Sequence, residues 1–172
     1  FFNLSIVYFY LIENPPFHGK ATVLIRKSHM DAWNIVEEEL YEAAYLNAPQ
    51  LLPARIENMS QVLDGIFPPG LFEDMIPMYV LTNREKLFGA SCMLYPDELK
   101  LFAEKTGSDL FVLPSSVHEV ILIPEKSNLN PQSFLDIVAE INHSQVPEEE
   151  VLADSVFFYN KKEDALYLLD NR

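Results

Sequence analysis

Short apolar runs that come in pairs are the feature of this sequence that most constrains its fold. The pairs are residues 4–12 with 21–25, 78–81 with 87–94, 110–113 with 117–123, and 156–159 with 165–169. Polar or proline-containing segments separate the two members of each pair. Apolar runs bounded by turn residues predict strands, and a short connection between two strands predicts antiparallel pairing. The sequence therefore predicts a sheet built from strand pairs.

Helical spacing of apolar residues occupies the segments between these pairs. Apolar stripes that recur every three or four positions lie in the segments 36–47, 56–66, 99–103 and 134–141. Ser28 is predicted to cap a short helix through Trp33, and Gly107 to end the helix that contains 99–103. The order of elements predicts an α+β fold, with an antiparallel or mixed sheet and with helices packed mostly on one face.

The length of the chain indicates one domain. It has 172 residues and a mass of 19.8 kDa, so we expect a single domain over residues 1–172, with 68–77 as the best place for a lobe boundary. Because the chain opens at Phe1 almost directly in a strand, we interpret it as a C-terminal fragment of a longer protein. The run 4–12 is shorter than the roughly 20 residues that span a bilayer, and it lacks the flanks of a signal peptide.

The charge excludes several classes of partner. Lys and Arg number 12 against 26 Asp and Glu, which gives a net charge of −14. Duplex binding depends on basic residues that neutralise phosphates, so we expect no nucleic-acid partner and no attachment to an anionic membrane. We expect a cytoplasmic protein.

The cysteine and the histidines predict neither a disulfide framework nor a structural metal. Cys92 is the single cysteine, and its apolar surroundings predict a buried, inert thiol within a strand. The spacing of His18, His29, His118 and His143 matches no ligand set, and His118-Glu119 fails the zinc-protease pattern because position 122 is leucine. For the other three histidines we expect solvated or capping roles. No cofactor is predicted.

One segment brings together residue types that serine catalysis needs. Ser115, Ser116, His118 and Glu119 supply a nucleophile, a base and an acid, although no nucleophile-elbow motif surrounds them. If 117–123 is a strand, His118 and Glu119 point to opposite faces and cannot form a dyad. We therefore expect His118 to bond a turn serine or a backbone carbonyl, and Glu119 to accept from backbone N–H groups or a cation. Replacing either should lower stability first.

Acidic and aromatic clusters have both a functional and a structural interpretation. The acidic triplets 37–39 and 148–150 are expected to be solvated first-turn residues of helices, because adjacent helical residues do not converge on one ion. Trp33, Tyr41 and Tyr45 fit either a ligand pocket or groove, or a core or subunit contact.

Several local motifs resemble one family. They include Leu94-Tyr95-Pro96, the segment Leu113-Pro114-Ser115-Ser116-Val117-His118-Glu119-Val120, and the segment 151–156, Val-Leu-Ala-Asp-Ser-Val. Together with Trp33 and the segment 39–44, these resemble an uncharacterised bacterial domain-of-unknown-function family of gut-associated Gram-positive bacteria. The resemblance covers essentially the whole chain and implies that relatives continue upstream of Phe1. It implies no activity.

Two classes of function follow from the sequence. The first is a non-catalytic, cytoplasmic module that binds a protein or a small ligand, and a homo-oligomer remains open. The alternative is a hydrolase-type enzyme with its site around Ser115, Ser116, His118 and Glu119. A cleft that gathers these four side chains would distinguish the second class from the first.

Overall fold

The computed structural model describes residues 1–12, 21–62, 77–125 and 147–169. The chain divides into two compact units, Phe1–Leu51 and Leu52–Arg172. This division differs from the lobe boundary predicted at 68–77, which falls almost entirely outside the described residues. The predicted helix over 134–141 also lies outside them.

The N-terminal unit contains a strand pair followed by two helices. Its elements are β1 (Phe9–Ile12), β2 (Ala21–Leu24), α1 (Lys27–Trp33) and α2 (Glu37–Leu51). β1 and β2 are antiparallel, with Phe9 opposite Leu24 and Ile12 opposite Ala21, which confirms the predicted pairing. β1 begins at residue 9 and not at residue 4, because β2 has only four residues with which it can pair.

The C-terminal unit contains one six-stranded antiparallel sheet in the order β3-β4-β6-β5-β7-β8. The strands are β3 (Ala54–Asn58), β4 (Tyr79–Asn83), β5 (Leu110–Ser116), β6 (Glu119–Pro124), β7 (Val156–Asn160) and β8 (Ala165–Leu169). The helical elements are α3 (Met59–Val62), a 3₁₀ helix at Gly89–Leu94, α4 (Glu98–Thr106) and a 3₁₀ helix at Glu148–Glu150. The predicted α+β class with antiparallel sheets is confirmed.

The core of this unit lies around the central strands β5, β6 and β7. Phe111, Leu113, Ile123 and Val156 form one buried cluster. Leu99, Phe102 and Ala103 of α4 are also buried, and the Phe102 ring meets Tyr79 of β4 edge-on at 4.9 Å between centroids. As predicted, α4 ends at Gly107, whose φ of 76° places it in the left-handed region that suits glycine.

Three local predictions are wrong. The segment 56–66 was predicted to be one helix, but 54–58 is the edge strand β3, because a short apolar repeat fits either period. The segment 87–94 is a turn and a 3₁₀ helix and not a strand. Ser28 does not cap α1, because that helix begins at Lys27 and Arg26 occupies the capping position.

The predicted turn at Pro114-Ser115-Ser116 is also wrong. β5 continues to Ser116, and the chain reverses at Val117 and His118. The register between β5 and β6 shifts between Leu113 and Ser116. A bulge at this point accommodates Pro114, which has no N–H for a ladder hydrogen bond.

Candidate functional site

The turn between β5 and β6 is the centre of a dense polar cluster. We name it the His118 cluster, and it consists of Thr82, Asn83, Phe88, Gly89, Ser116, His118 and Glu150. The end of β4 supplies the first two residues, and the connection into the Gly89–Leu94 helix supplies the next two. Glu150 reaches the turn because the main chain of Val117 donates a hydrogen bond to its carbonyl at 2.9 Å.

The imidazole of His118 is held by backbone and ring contacts. Its Nδ1 accepts a hydrogen bond from the Phe88 N–H at 3.2 Å, and the two rings stack at 5.6 Å and 13°. An accepting Nδ1 leaves the proton of a neutral imidazole on Nε2, which lies 4.0 Å from Glu150 Oε1. His118 therefore bonds a backbone amide, and not the serine or carbonyl that the sequence predicted for its side chain.

The same turn is held against the end of β4 by contacts of Thr82, Asn83 and Gly89. Thr82 Oγ1 donates to the His118 carbonyl at 2.7 Å. The fully buried Asn83 donates through Nδ2 to the Leu87 carbonyl, and its Oδ1 accepts from the Leu87 and Glu85 N–H groups. A Cβ on Gly89 would lie 2.1 Å from Thr82 Oγ1 and 2.5 Å from the His118 carbonyl oxygen. Only glycine fits this close approach of two backbones.

The other sequence-predicted catalytic candidates have separate positions. Ser116 is buried, and its Oγ accepts the main-chain N–H of His118 at 3.1 Å. Ser115 belongs to β5, and its side chain lies outside the described part of the structure. Glu119 begins β6 opposite Ser116 and is half-buried. The described hydrogen bonds of Ser116 and His118 therefore shape the turn, and the bonds expected of Glu119 stay a prediction.

Glu150 is one of several residues of this cluster that sequence reasoning did not place at the site. It was expected to be solvated like its neighbours, and Glu148 and Glu149 are indeed exposed. Glu150 is half-buried, because Ser116 and Val151 form an isolated antiparallel bridge beside it. Nothing in the local sequence distinguishes it from the two acids before it.

A second candidate site is the exposed aromatic surface of the N-terminal unit. We use that name for Tyr10, His29, Trp33, Tyr41 and Tyr45. Trp33 stacks on His29 at 5.7 Å and meets Tyr10 edge-on at 6.4 Å, while Tyr41 and Tyr45 stack at 6.1 Å. The side chains of Trp33, Tyr41 and Tyr45 are 49%, 48% and 43% exposed. They therefore do not fill a core within their own unit.

The local structure of α1 and α2 explains how these aromatic residues are presented. His29 Nδ1 accepts the Arg26 N–H at 3.1 Å, so of the two roles left open for His29, solvated or capping, the structure shows the capping one. Glu39 accepts the Val36 N–H at 3.0 Å in the first turn of α2. Tyr41 and Tyr45 are four residues apart on that helix, so they lie on one face.

Two further groups have a shifted pKa, the Cys92 thiol and the Asp164 carboxyl. Cys92 is fully buried, and this burial raises the pKa of its thiol to about 12, which is typical of an inert cysteine. It lies in a 3₁₀ helix and not in the predicted strand. In the turn between β7 and β8, Asp164 accepts hydrogen bonds from Tyr159 of β7 and Lys100 of α4, at 2.5 and 3.1 Å. These donors hold the pKa of Asp164 below its ordinary value.

The described ranges contain neither a metal-binding cluster of side chains nor a membrane-spanning helix. There, no three side chains of His, Cys, Asp or Glu are grouped to hold a metal ion. The absence of a structural metal stays a prediction, since His18 and His143 lie outside those ranges. Across the same ranges, the helices are too short or too polar to span a bilayer.

Comparison with known proteins identifies a family but no activity. A family model described as a family of unknown function, DUF5688, matches residues 1–161. No curated protein and no solved structure matches the chain. The chain belongs to the DUF5688 family.

Proposed function

We propose that this member of the DUF5688 family is a non-catalytic module that binds another protein through its N-terminal unit. The supporting observation is the distribution of exposed apolar side chains. Of the described large apolar residues that are exposed, all but Phe88, Leu101 and Tyr167 belong to Phe1–Leu51. Leu40 alone is buried among the described residues of that unit.

Such a surface is unusual for a protein that functions alone. Apolar residues scattered singly over a surface are normal, whereas a concentration of them is typical of an interaction site. Here the exposed groups include Trp33 and the Tyr41–Tyr45 stack. Tryptophan and tyrosine are enriched among the residues that dominate binding energy, because they bury large areas with few rotatable bonds.

The charge beside this surface indicates the kind of partner. Glu37, Glu38 and Glu39 are exposed in the first turn of α2, one turn before Tyr41. An acidic rim around apolar anchors favours a partner whose apolar patch has a basic border. We therefore propose a cytoplasmic protein partner. We also propose that the chain does not bind nucleic acid.

The hydrolase alternative has less support. Serine catalysis needs a hydroxyl bonded to an imidazole. Among the described contacts, Ser116 Oγ accepts from the main chain of His118, and the imidazole Nδ1 accepts from Phe88. Both groups thereby hold the turn in place.

Site-specific photo-crosslinking tests the proposal. A photoreactive amino acid is placed at position 33 or 45 and, as a control, at Leu101 of α4, which is more exposed than either. In the cells that make the protein, positions 33 and 45 should crosslink one defined protein, and position 101 should not. The purified partner should then bind the unmodified chain and lose affinity for Trp33→Ala and Tyr45→Ala, but not for Leu101→Ala. Crosslinks that form only within the chain, or equal binding by all variants, would contradict the proposal.

A further inference from the structure

The two edges of the six-stranded sheet are built differently. The edge strand β3 carries Arg55 and Glu57, whose side chains pair at 2.5 Å. Charged side chains on an edge strand oppose pairing with a foreign strand. The other edge, β8, reads Ala-Leu-Tyr-Leu-Leu and carries no charge. Only the first of these two edges therefore has the usual protection against strand addition.

Among the described residues, no strand is paired to the outer side of β8. All five residues of β8 pair with β7, from Asn160 opposite Ala165 to Val156 opposite Leu169. In an antiparallel ladder, alternate residues turn their N–H and C=O groups away from the neighbour. In the part of the chain that the structure describes, no strand pairs with these outward groups. Tyr167, at the middle of β8, is 44% exposed.

We propose that a second copy of this chain adds its own β8 to this edge, antiparallel, about a twofold axis at Tyr167. The residues around Tyr167 are apolar in both directions, with Leu166 and Leu168 next to it and Ala165 and Leu169 beyond. Within the five residues of β8, antiparallel self-pairing therefore places every residue opposite an apolar residue. Twofold contacts of this kind are the commonest in homo-oligomers.

The net charge sets the conditions under which this dimer forms. Two copies of net charge −14 repel each other, and an uncharged strand is the part that can approach another copy at the lowest electrostatic cost. Salt screens charges that lie more than about 8 Å apart at physiological ionic strength. Dimerisation should therefore strengthen as the salt concentration rises, whereas association through ion pairs would weaken.

Sedimentation equilibrium of the full chain at low and high salt tests the dimer. The expected result is a monomer–dimer equilibrium that shifts toward dimer with salt. Tyr167→Lys places two like charges at the axis and should weaken dimerisation about tenfold or more. Tyr167→Phe, which loses only the hydroxyl bond to Glu163, should dimerise like the unmodified chain. Leu101→Lys adds the same charge at an exposed position of α4, outside β8, and should leave dimerisation unchanged.

Hydrogen exchange of the β8 amides distinguishes a variant that has lost the dimer from one that has lost its fold. These amides should exchange more slowly at concentrations where the dimer forms, and Tyr167→Lys should remove that protection while the circular dichroism spectrum is retained. A chain that is monomeric under all conditions would overturn the proposal. So would a dimer that Trp33→Ala disrupts and Tyr167→Lys does not, or protection of β8 only by a different protein. None of these outcomes depends on the partner of the N-terminal unit.

Discussion

Gly89 shows how a single residue controls the His118 cluster. Gly89→Ala would place a Cβ within 3 Å of the Thr82 hydroxyl, the His118 carbonyl oxygen and the Asn83 amide nitrogen. Two of these three atoms belong to the backbone and cannot rotate away. We expect Gly89→Ala to lower the free energy of unfolding by about 3 kcal/mol, the upper range for overpacking, as measured by urea denaturation.

Gly107→Ala is the matched control for that measurement. Nothing lies within 4 Å of a Cβ at Gly107, so the only penalty there is its φ of 76°. A left-handed conformation costs an alanine about 1 kcal/mol. Equal destabilisation by the two substitutions would contradict the close approach at Gly89.

His118→Phe separates a structural role of this histidine from a catalytic one. Phenylalanine retains a ring to stack on Phe88 but has no Nδ1 to accept the Phe88 N–H. Losing one hydrogen bond should lower the free energy of unfolding by about 1 kcal/mol, which a shift in melting temperature would report. A hydrolytic activity that His118→Phe abolishes at an unchanged melting temperature would instead establish the enzyme alternative.

Some residue roles could be predicted from the sequence, and others could not. Local chemistry was sufficient for the helix stop at Gly107, which depends on neighbours within a few positions, and it left capping as one of two roles for His29. The contact between His118 and Glu150 joins residues 32 positions apart. The bridge between Ser116 and Val151 and the hydrogen bond from the Val117 N–H to the Glu150 carbonyl bring them together, and no local pattern records either contact.

At the scale of elements, the predictions succeeded where periodicity was unambiguous. The closing hairpin β7–β8 was predicted from two apolar runs around a polar turn, and the register confirms it. The segment 87–94 is also mostly apolar, but the buried Asn83 side chain binds the backbone of Leu87, and the chain continues into a 3₁₀ helix. Hydrogen bonds of one buried amide thus prevailed over strand propensity.

The β7–β8 hairpin should contribute to stability in a pH-dependent way. Hydrogen bonds from Tyr159 and then Lys100 lower the pKa of Asp164 from its ordinary value of 3.8. A carboxylate whose folded-state pKa is lowered stabilises the fold above its unfolded-state pKa, and this contribution is lost as the pH falls through the folded-state value. With Asp164→Asn, the melting temperature should therefore decrease less as the pH is lowered below about 4. Tyr159→Phe should give an intermediate profile, and parallel profiles for all three proteins would contradict this account.

At the scale of the whole molecule, burial is distributed unevenly between the two units. Apart from Leu40, every buried apolar side chain in the described residues belongs to the unit that begins at Leu52. We expect a fragment of residues 52–172 to unfold cooperatively on its own, because that unit contains the described core. Thermal denaturation followed by circular dichroism checks this, and a fragment with no cooperative transition would contradict it.

The sequence did not indicate that buried apolar side chains would be distributed so unevenly between the two units. Helical spacing in 36–47 predicted an apolar face for α2, and such faces are usually buried. In the structure Val36 and most of the aromatic residues nearby are exposed, and only Leu40 of that stripe is buried. A pattern identifies which residues lie on one face, but it does not identify whether that face meets the chain's own core or another protein.

The heat capacity of binding tests the central claim most directly. With the partner identified by crosslinking, titration calorimetry at several temperatures gives the change in heat capacity on association. Burial of the apolar surface of the N-terminal unit predicts a clearly negative value, which Trp33→Ala should make smaller and Leu101→Ala should not change. A heat-capacity change near zero, or one that Trp33→Ala leaves intact, would contradict the account.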